Sequence, residues 1–235
     1  MFVGLVPIEG SIMCGRFTLV AEIPELQKEF ELGDVNGEWN PRYNIAPSQK
    51  VLVVVDGNLR SIEFFQWGLI PFWVKDPSIG NRLINARMET LREKPAFRQA
   101  FNNRHCLILS DGFYEWQHTG SKRTPSIPYY FRLKTGKPFA FAGLWESWGN
   151  TDGTPVKTCT IITCPPNDLV SRVHERMPVI LNSESCWDWL GQKSGSGLEK
   201  LLVPYESSKM IAYPVGKMIN NPKYDSKDCI EPLKW

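Results

Sequence analysis

The run Val51 to Val55 is continuous and mostly β-branched, stops at Asp56-Gly57-Asn58, and gives way to a second apolar run at Ile62 to Phe65. Side chains branched at Cβ lose freedom in a helix but pack well on a pleated surface, and Asp-Gly supplies the backbone freedom of a tight reversal, so this stretch reads as a hairpin. A hairpin commits the chain to antiparallel pairing. Further strands are expected at Leu107 to Leu109, Tyr129 to Leu133, Phe139 to Leu144 and Thr158 to Thr163, mostly joined by connections too short for a parallel crossover. Helical patterns are fewer: Ile23 to Phe30, Ala96 to Asn102, Asp168 to Val173, and Glu184 to Leu190 behind a Ser183 cap. The expectation is an α+β protein built mainly on antiparallel sheet with short helices. With 235 residues, 42% of them hydrophobic, the chain can bury one sizeable core, and one domain is expected. The Gly/Ser/Asp-rich stretches Gly149 to Thr154 and Gly191 to Gly197 are too short to separate domains.

Composition narrows the function classes. The formal net charge is only +2, so nucleic-acid binding would have to come from a local basic patch. Nine tryptophans and twelve phenylalanines fill cores in the ordinary case but can also stack unpaired bases. Six cysteines, at irregular spacings and without a secretory signal, point to a reducing, cytoplasmic setting. Phe2 to Ile12 lacks a basic start and is too short to span a bilayer, so no membrane role is expected. Cys159 and Cys164 have no matching second pair, and neither a Gly-rich phosphate loop nor a dinucleotide fingerprint is present, so neither metal nor nucleotide cofactor is expected.

The chemistry centres on Met13-Cys14-Gly15-Arg16-Phe17. A cysteine exposed as an N-terminus carries an α-amine and a thiol on adjacent carbons. Together they can trap an aldehyde: the amine forms a Schiff base and the sulfur closes a five-membered thiazolidine. The α-amine titrates at about 7.7–8.0 and a free thiol at about 8.5, so modest help makes both reactive near neutral pH. While residues 1 to 13 remain attached, the Cys14 nitrogen is an amide and cannot form an imine. The mature chain is therefore expected to run from 14 to 235, by translation from Met13 or by cleavage.

Candidate partners for this group lie elsewhere. His174 sits just past a short expected helix, where loops commonly hold active groups. Glu115, in Asp111-Gly112-Phe113-Tyr114-Glu115-Trp116, is an acid among aromatics, a setting that raises a carboxyl pKa and suits proton transfer. Taken alone, His174 reads equally as a core or surface histidine, and Glu115 as the outward residue of an amphipathic strand. Asn85 can hydrogen-bond an amine and Arg87 can clamp a phosphate, although Asn85 to Thr90 also reads as a capped turn. Trp67 and Trp73 flank a Gly/Pro-shaped turn and can stack bases or fill a core. Asn44 and Pro47 lie in a rigid loop that suits ligand contact or a plain turn.

Taken together, Met13-Cys14-Gly15-Arg16-Phe17, Tyr43-Asn44-Ile45-Ala46-Pro47, Trp67-Gly68-Leu69-Ile70-Pro71, Asn85-Ala86-Arg87-x-Glu89-Thr90, Gly112-Phe113-Tyr114-Glu115-Trp116 and His174-x-Arg176-Met177-Pro178 closely resemble the SOS-response-associated peptidase (SRAP) family. The motifs run in family order over most of the chain. The resemblance implies one compact α+β domain with a partly barrel-like antiparallel sheet and a positively charged groove, a monomer that acts on abasic sites in single-stranded DNA. It implies that Cys14, as the mature N-terminus, forms a thiazolidine crosslink with the ring-opened abasic sugar. Asn85 would position the amine and sugar, Glu115 would move protons, and His174 would assist the Schiff-base steps. Arg16, Arg87 and Arg176 would hold phosphates, with Asn44, Pro47, Trp67 and Trp73 shaping the groove. It also implies a peptidase-like self-processing that exposes the cysteine, weak lyase activity as a competing outcome, and association with the nucleoid. This chain departs from the family in having its cysteine fourteenth instead of second. Two other readings fit the residues: a cysteine hydrolase using Cys14, His174 and Glu115, or a non-covalent single-strand-binding module in which Cys14 is incidental.

Overall fold

The computed structural model describes residues 14–33, 38–55, 60–118, 126–149, 153–191 and 197–234. Thirteen strands follow in chain order: β1 (Phe17–Leu19), β2 (Arg42–Ile45), β3 (Lys50–Val54), β4 (Ile62–Trp67), β5 (Asn85–Arg87), β6 (His105–Ser110), β7 (Gly112–Gln117), β8 (Ile127–Leu133), β9 (Phe139–Gly149), β10 (Pro155–Cys164), β11 (Met177–Pro178), β12 (Ile180–Leu181) and β13 (Met210–Pro214). Three α-helices punctuate them: α1 (Ile23–Phe30), α2 (Pro95–Asn103) and α3 (Ser183–Gly191).

The hairpin read from Val51 is present as β3 against β4, with Val51 opposite Phe65 and Val54 opposite Ile62. Its Asp56-Gly57-Asn58 turn lies outside the described residues, as do Phe2 to Ile12 and the centres of both Gly-rich stretches. The strands β10, β4, β3, β6 and β9 pair in that order, and β9 pairs again with β10, which closes a five-stranded barrel. All but one of these pairings are antiparallel; β10 runs parallel to β4, and also to β5 alongside. A second sheet, ordered β13-β8-β7-β1-β2, packs on the barrel. Aromatic rings join the two: Phe17 on β1 meets Phe141 on β9 edge-on at 5.6 Å, and Phe113 on β7 meets Phe141 at 6.3 Å. Edge-to-face packing of this kind adds to the area the rings bury.

Two elements depart from expectation. The helix expected over Asp168 to Val173 is reduced to a 3-10 turn, Val170–Arg172, although the Asn167 side chain accepts from the Leu169 and Val170 amides in the manner of a helix cap. Helix α3 is capped by Asn182 and not by Ser183. The Asn182 carboxamide accepts from the Ser185 amide at 2.8 Å while the Ser185 hydroxyl accepts from the Asn182 amide at 2.9 Å, a reciprocal cap.

Strand β1 starts two residues after Gly15 and pairs with β7, Phe17 opposite Phe113. Asp111 fixes this corner: its carboxylate accepts from the Val20 and Ala21 amides and from the Thr18 hydroxyl. Gly112 is required there because a Cβ would lie 2.2 Å from the Tyr130 hydroxyl.

Candidate active site

Pairing of β1 with β7 brings Cys14, which directly precedes β1, beside Glu115, and pairing of β5 with β10 brings Asn85 to the same place. The Cys14 nitrogen donates to Glu115 Oε1 at 2.6 Å, and Asn85 Nδ2 approaches the Cys14 carbonyl at 3.5 Å. These three residues, from three separate regions of sequence, meet at one place. Cys14 has φ of +28°, in the left-handed region that residues with a Cβ avoid at a cost of about 1–3 kcal/mol.

Burial sets the electrostatics. Both Cys14 and Glu115 are buried. Desolvation pushes the Glu115 carboxyl up to about 8, partly offset by the hydrogen bond from Cys14. The Cys14 thiol is pushed well above its ordinary range by burial first and by Glu115 second. His174 moves the other way: its burial lowers the imidazole pKa. Its Nδ1 lies 3.2 Å from the Arg176 amide nitrogen and 3.3 Å from the Arg176 carbonyl oxygen, which fixes the ring on its own loop. The loop bearing His174 is tied to the end of β7, two residues past Glu115, by Gln117 donating to the Arg172 carbonyl at 2.9 Å.

The residues expected to face a polynucleotide divide sharply. Arg87 and Trp73 are exposed, Trp73 by 54%, and Pro47 is half-buried. Trp67 has no exposed surface: its indole N–H donates to the Ile84 carbonyl at 2.9 Å and its ring packs against Phe17 at 5.1 Å, so it supports the site from below and offers no face to a base. Asn44 is likewise buried, its amide donating to the carbonyls of Ile219, Asn221 and Tyr224, so it holds the C-terminal segment on β2. Arg16 is half-buried, with Nη1 donating to Asn44 Oδ1 at 2.8 Å and to the Ile219 carbonyl at 2.5 Å. Arg176 makes a two-pronged pair with Glu89, at 2.6 and 2.9 Å, and a bond to the Thr163 carbonyl. That pairing holds Glu89 below the usual carboxylate range and neutralises the guanidinium expected to meet a phosphate.

Two supporting groups escaped sequence reasoning. Asp225 accepts from the Tyr43 and Asn44 amides and pairs with Arg42, and nothing near it in the sequence signals that reach. Glu89 lies within Asn85-Ala86-Arg87-x-Glu89-Thr90, and nothing local in that stretch signals its pairing with Arg176.

With this geometry in view, the comparisons with known proteins are specific. Residues 13–222 match the SOS response associated peptidase (SRAP) family. The chain is 45% identical to the abasic site processing protein YoqW of Bacillus subtilis, over 93% of this chain and 99% of that one. It is 26% identical to the abasic site processing protein HMCES of Xenopus tropicalis, over 94% and 78% respectively. A crystal structure of a protein from Bacteroides thetaiotaomicron superposes with a TM-score of 0.84 at 26% identity, covering 94% of this chain and all of the other.

Proposed function

We propose, for a chain that belongs to the SOS response associated peptidase family, that this site processes abasic sites in DNA by covalent capture through Cys14. The observation that carries the reading is the 2.6 Å contact from the Cys14 nitrogen to Glu115. That nitrogen is an amide in this chain and stands for the α-amine of a chain beginning at Cys14. An α-amine titrates at about 7.7–8.0, and a carboxyl near 8 is matched to take its proton and return it. The free amine adds to the aldehyde carbon of the ring-opened sugar, the carbinolamine loses water with a proton from Glu115 to leave an iminium, and return of the iminium N–H proton to the Glu115 carboxylate gives the imine. The thiol then adds across the C=N bond, its sulfur to carbon and its proton to nitrogen, closing a thiazolidine. In this scheme Asn85 orients the Cys14 backbone and His174, neutral near pH 7, relays protons at the sugar. Weak lyase activity follows if elimination of the 3′ phosphate precedes ring closure.

The family match begins at Met13, which supports a mature chain beginning at Cys14. The left-handed Cys14 backbone stores strain next to the Met13–Cys14 bond, and its relief would favour a cut made at the protein's own site. Single-stranded DNA is the substrate in this reading, since an extruded sugar reaches a buried nucleophile most easily where no partner strand holds it. The decisive experiment incubates the purified chain with a single-stranded oligonucleotide carrying one abasic site, then reads a denaturing gel and the adduct's intact mass. A band that requires Cys14, with a mass counting the chain from Cys14, is expected. Absence of an adduct from a chain verified to start at Cys14 would overturn the proposal.

A further inference from the structure

The turn after Trp67 carries two of the four large apolar side chains that stand exposed among the described residues, Phe72 at 51% and Trp73 at 54%. It is firmly anchored. The Val74 amide closes the turn on the Pro71 carbonyl at 3.1 Å, the Trp148 indole donates to the Val74 carbonyl at 2.8 Å, and the Ile70 amide donates to the Thr158 hydroxyl on β10 at 2.9 Å. Gly68 makes the approach to the turn: its φ is +127°, and a Cβ there would meet the Gly80 carbonyl oxygen at 2.7 Å. Apolar rings held rigidly in water are a surface made to be covered.

Beside Phe72 lies a cleft of about 240 Å³, lined also by Trp145, Gln99, Ser147, Arg104 and Glu146. Trp145 is half-buried, braced by Phe65 at 5.6 Å with Lys157 over its ring at 5.8 Å. Arg104 Nη2 binds Glu146 Oε1 at 2.5 Å, so the pair carries no net charge toward the cleft. Arg104 Nε is buried with no hydrogen-bond partner among the described residues. A cleft with aromatic walls, an amide and a hydroxyl, whose arginine is already paired with a carboxylate, does not suit a phosphate. It suits a planar heterocycle that stacks on its faces and hydrogen-bonds at its edge.

The register relates this cleft to the reactive centre. Asn85 pairs with Ile161 on one side of β10, and Glu146 pairs with Thr158 on the other, three residues along, so their backbones lie about 14 Å apart, from about 10 Å of strand rise and two interstrand spacings of about 4.8 Å. We infer that the Phe72–Trp145 cleft is a base-binding subsite that takes an unpaired base of the captured strand a short way from the abasic sugar. The inference rests on the proposed capture of single-stranded DNA. It gives the protein a second hold, made by stacking and edge contacts, that fixes the direction in which the strand leaves the site.

The test places 2-aminopurine, whose emission is quenched by stacking, at successive positions on either side of one abasic site, and records emission after the adduct has locked the register. Wild type is expected to quench one offset strongly, and Phe72→Ala and Gln99→Ala to restore emission at that offset alone. Phe72 is half in solvent, so its truncation leaves the core intact. Quenching that is equal at every offset, or unaltered by both variants, overturns the subsite. If wild type forms no adduct, capture itself fails. The cleft is then judged by the affinity of an undamaged single strand, where loss of base stacking in Phe72→Ala predicts a fall of about 5- to 100-fold, and unchanged affinity overturns it.

Discussion

At the scale of single residues, Glu115 is the group whose behaviour is most sharply determined. Its carboxyl is neutral in the folded protein up to about pH 8, against an ordinary value of 4.5. Below the ordinary value both folded and unfolded states hold the proton and the fold keeps its full stability. Between the two values the unfolded chain releases the proton while the folded chain retains it, so stability falls as pH rises. Glu115→Gln keeps an acceptor for the Cys14 nitrogen and removes the titration. In the uncleaved chain its melting temperature should exceed that of wild type by a margin that widens from pH 4.5 to 8, measured by thermal denaturation across that range. In the mature chain the same substitution should slow adduct formation severalfold or more, while affinity for undamaged single strands stays the same. Equal loss of both would assign Glu115 a structural role. This residue was legible in sequence because an acid sits among Phe113, Tyr114 and Trp116, where burial was foreseeable. Trp67 was not: its motif reads the same whether the ring faces water or the core, and only the β4–β10 pairing settles the direction.

Elements were readable where one local signal dominates. The β3–β4 hairpin and α1 follow from runs long enough to show their period, and α1 spans the expected residues. The short strands β1, β2, β5, β11 and β12 have two to four residues each, too few to display alternation, and owe their existence to partners distant in sequence. The cap of α3 was missed by one position because Asn182 and Ser183 are both good caps and only the Asn182–Ser185 exchange distinguishes them. Asn182→Ala should therefore cost about 1 kcal/mol, read as a lower denaturant midpoint at unchanged slope, whereas Ser183→Ala should change the midpoint little.

For the whole molecule, the small net charge leaves individual arginines to carry the grip on a polyanion. Arg87 is exposed, whereas Arg176 already satisfies Glu89 and the Thr163 carbonyl. Each phosphate neutralised on a single strand contributes a slope of about −0.7 in log K against log salt. Titrations of an undamaged oligonucleotide at several salt concentrations should show Arg87→Ala making the slope shallower by about that amount and Arg176→Ala changing it far less. The α+β class and the antiparallel bias were readable from connection lengths; closure of the barrel was not, because it depends on β10 pairing with β4, β5, β9 and β11 at once. Its place in that ring makes β10 the seam of the molecule: remove residues 155–164 and β4 and β9 become two bare edges, each a row of unpaired amides and carbonyls open to another chain, so this one strand is what keeps the barrel from being adhesive.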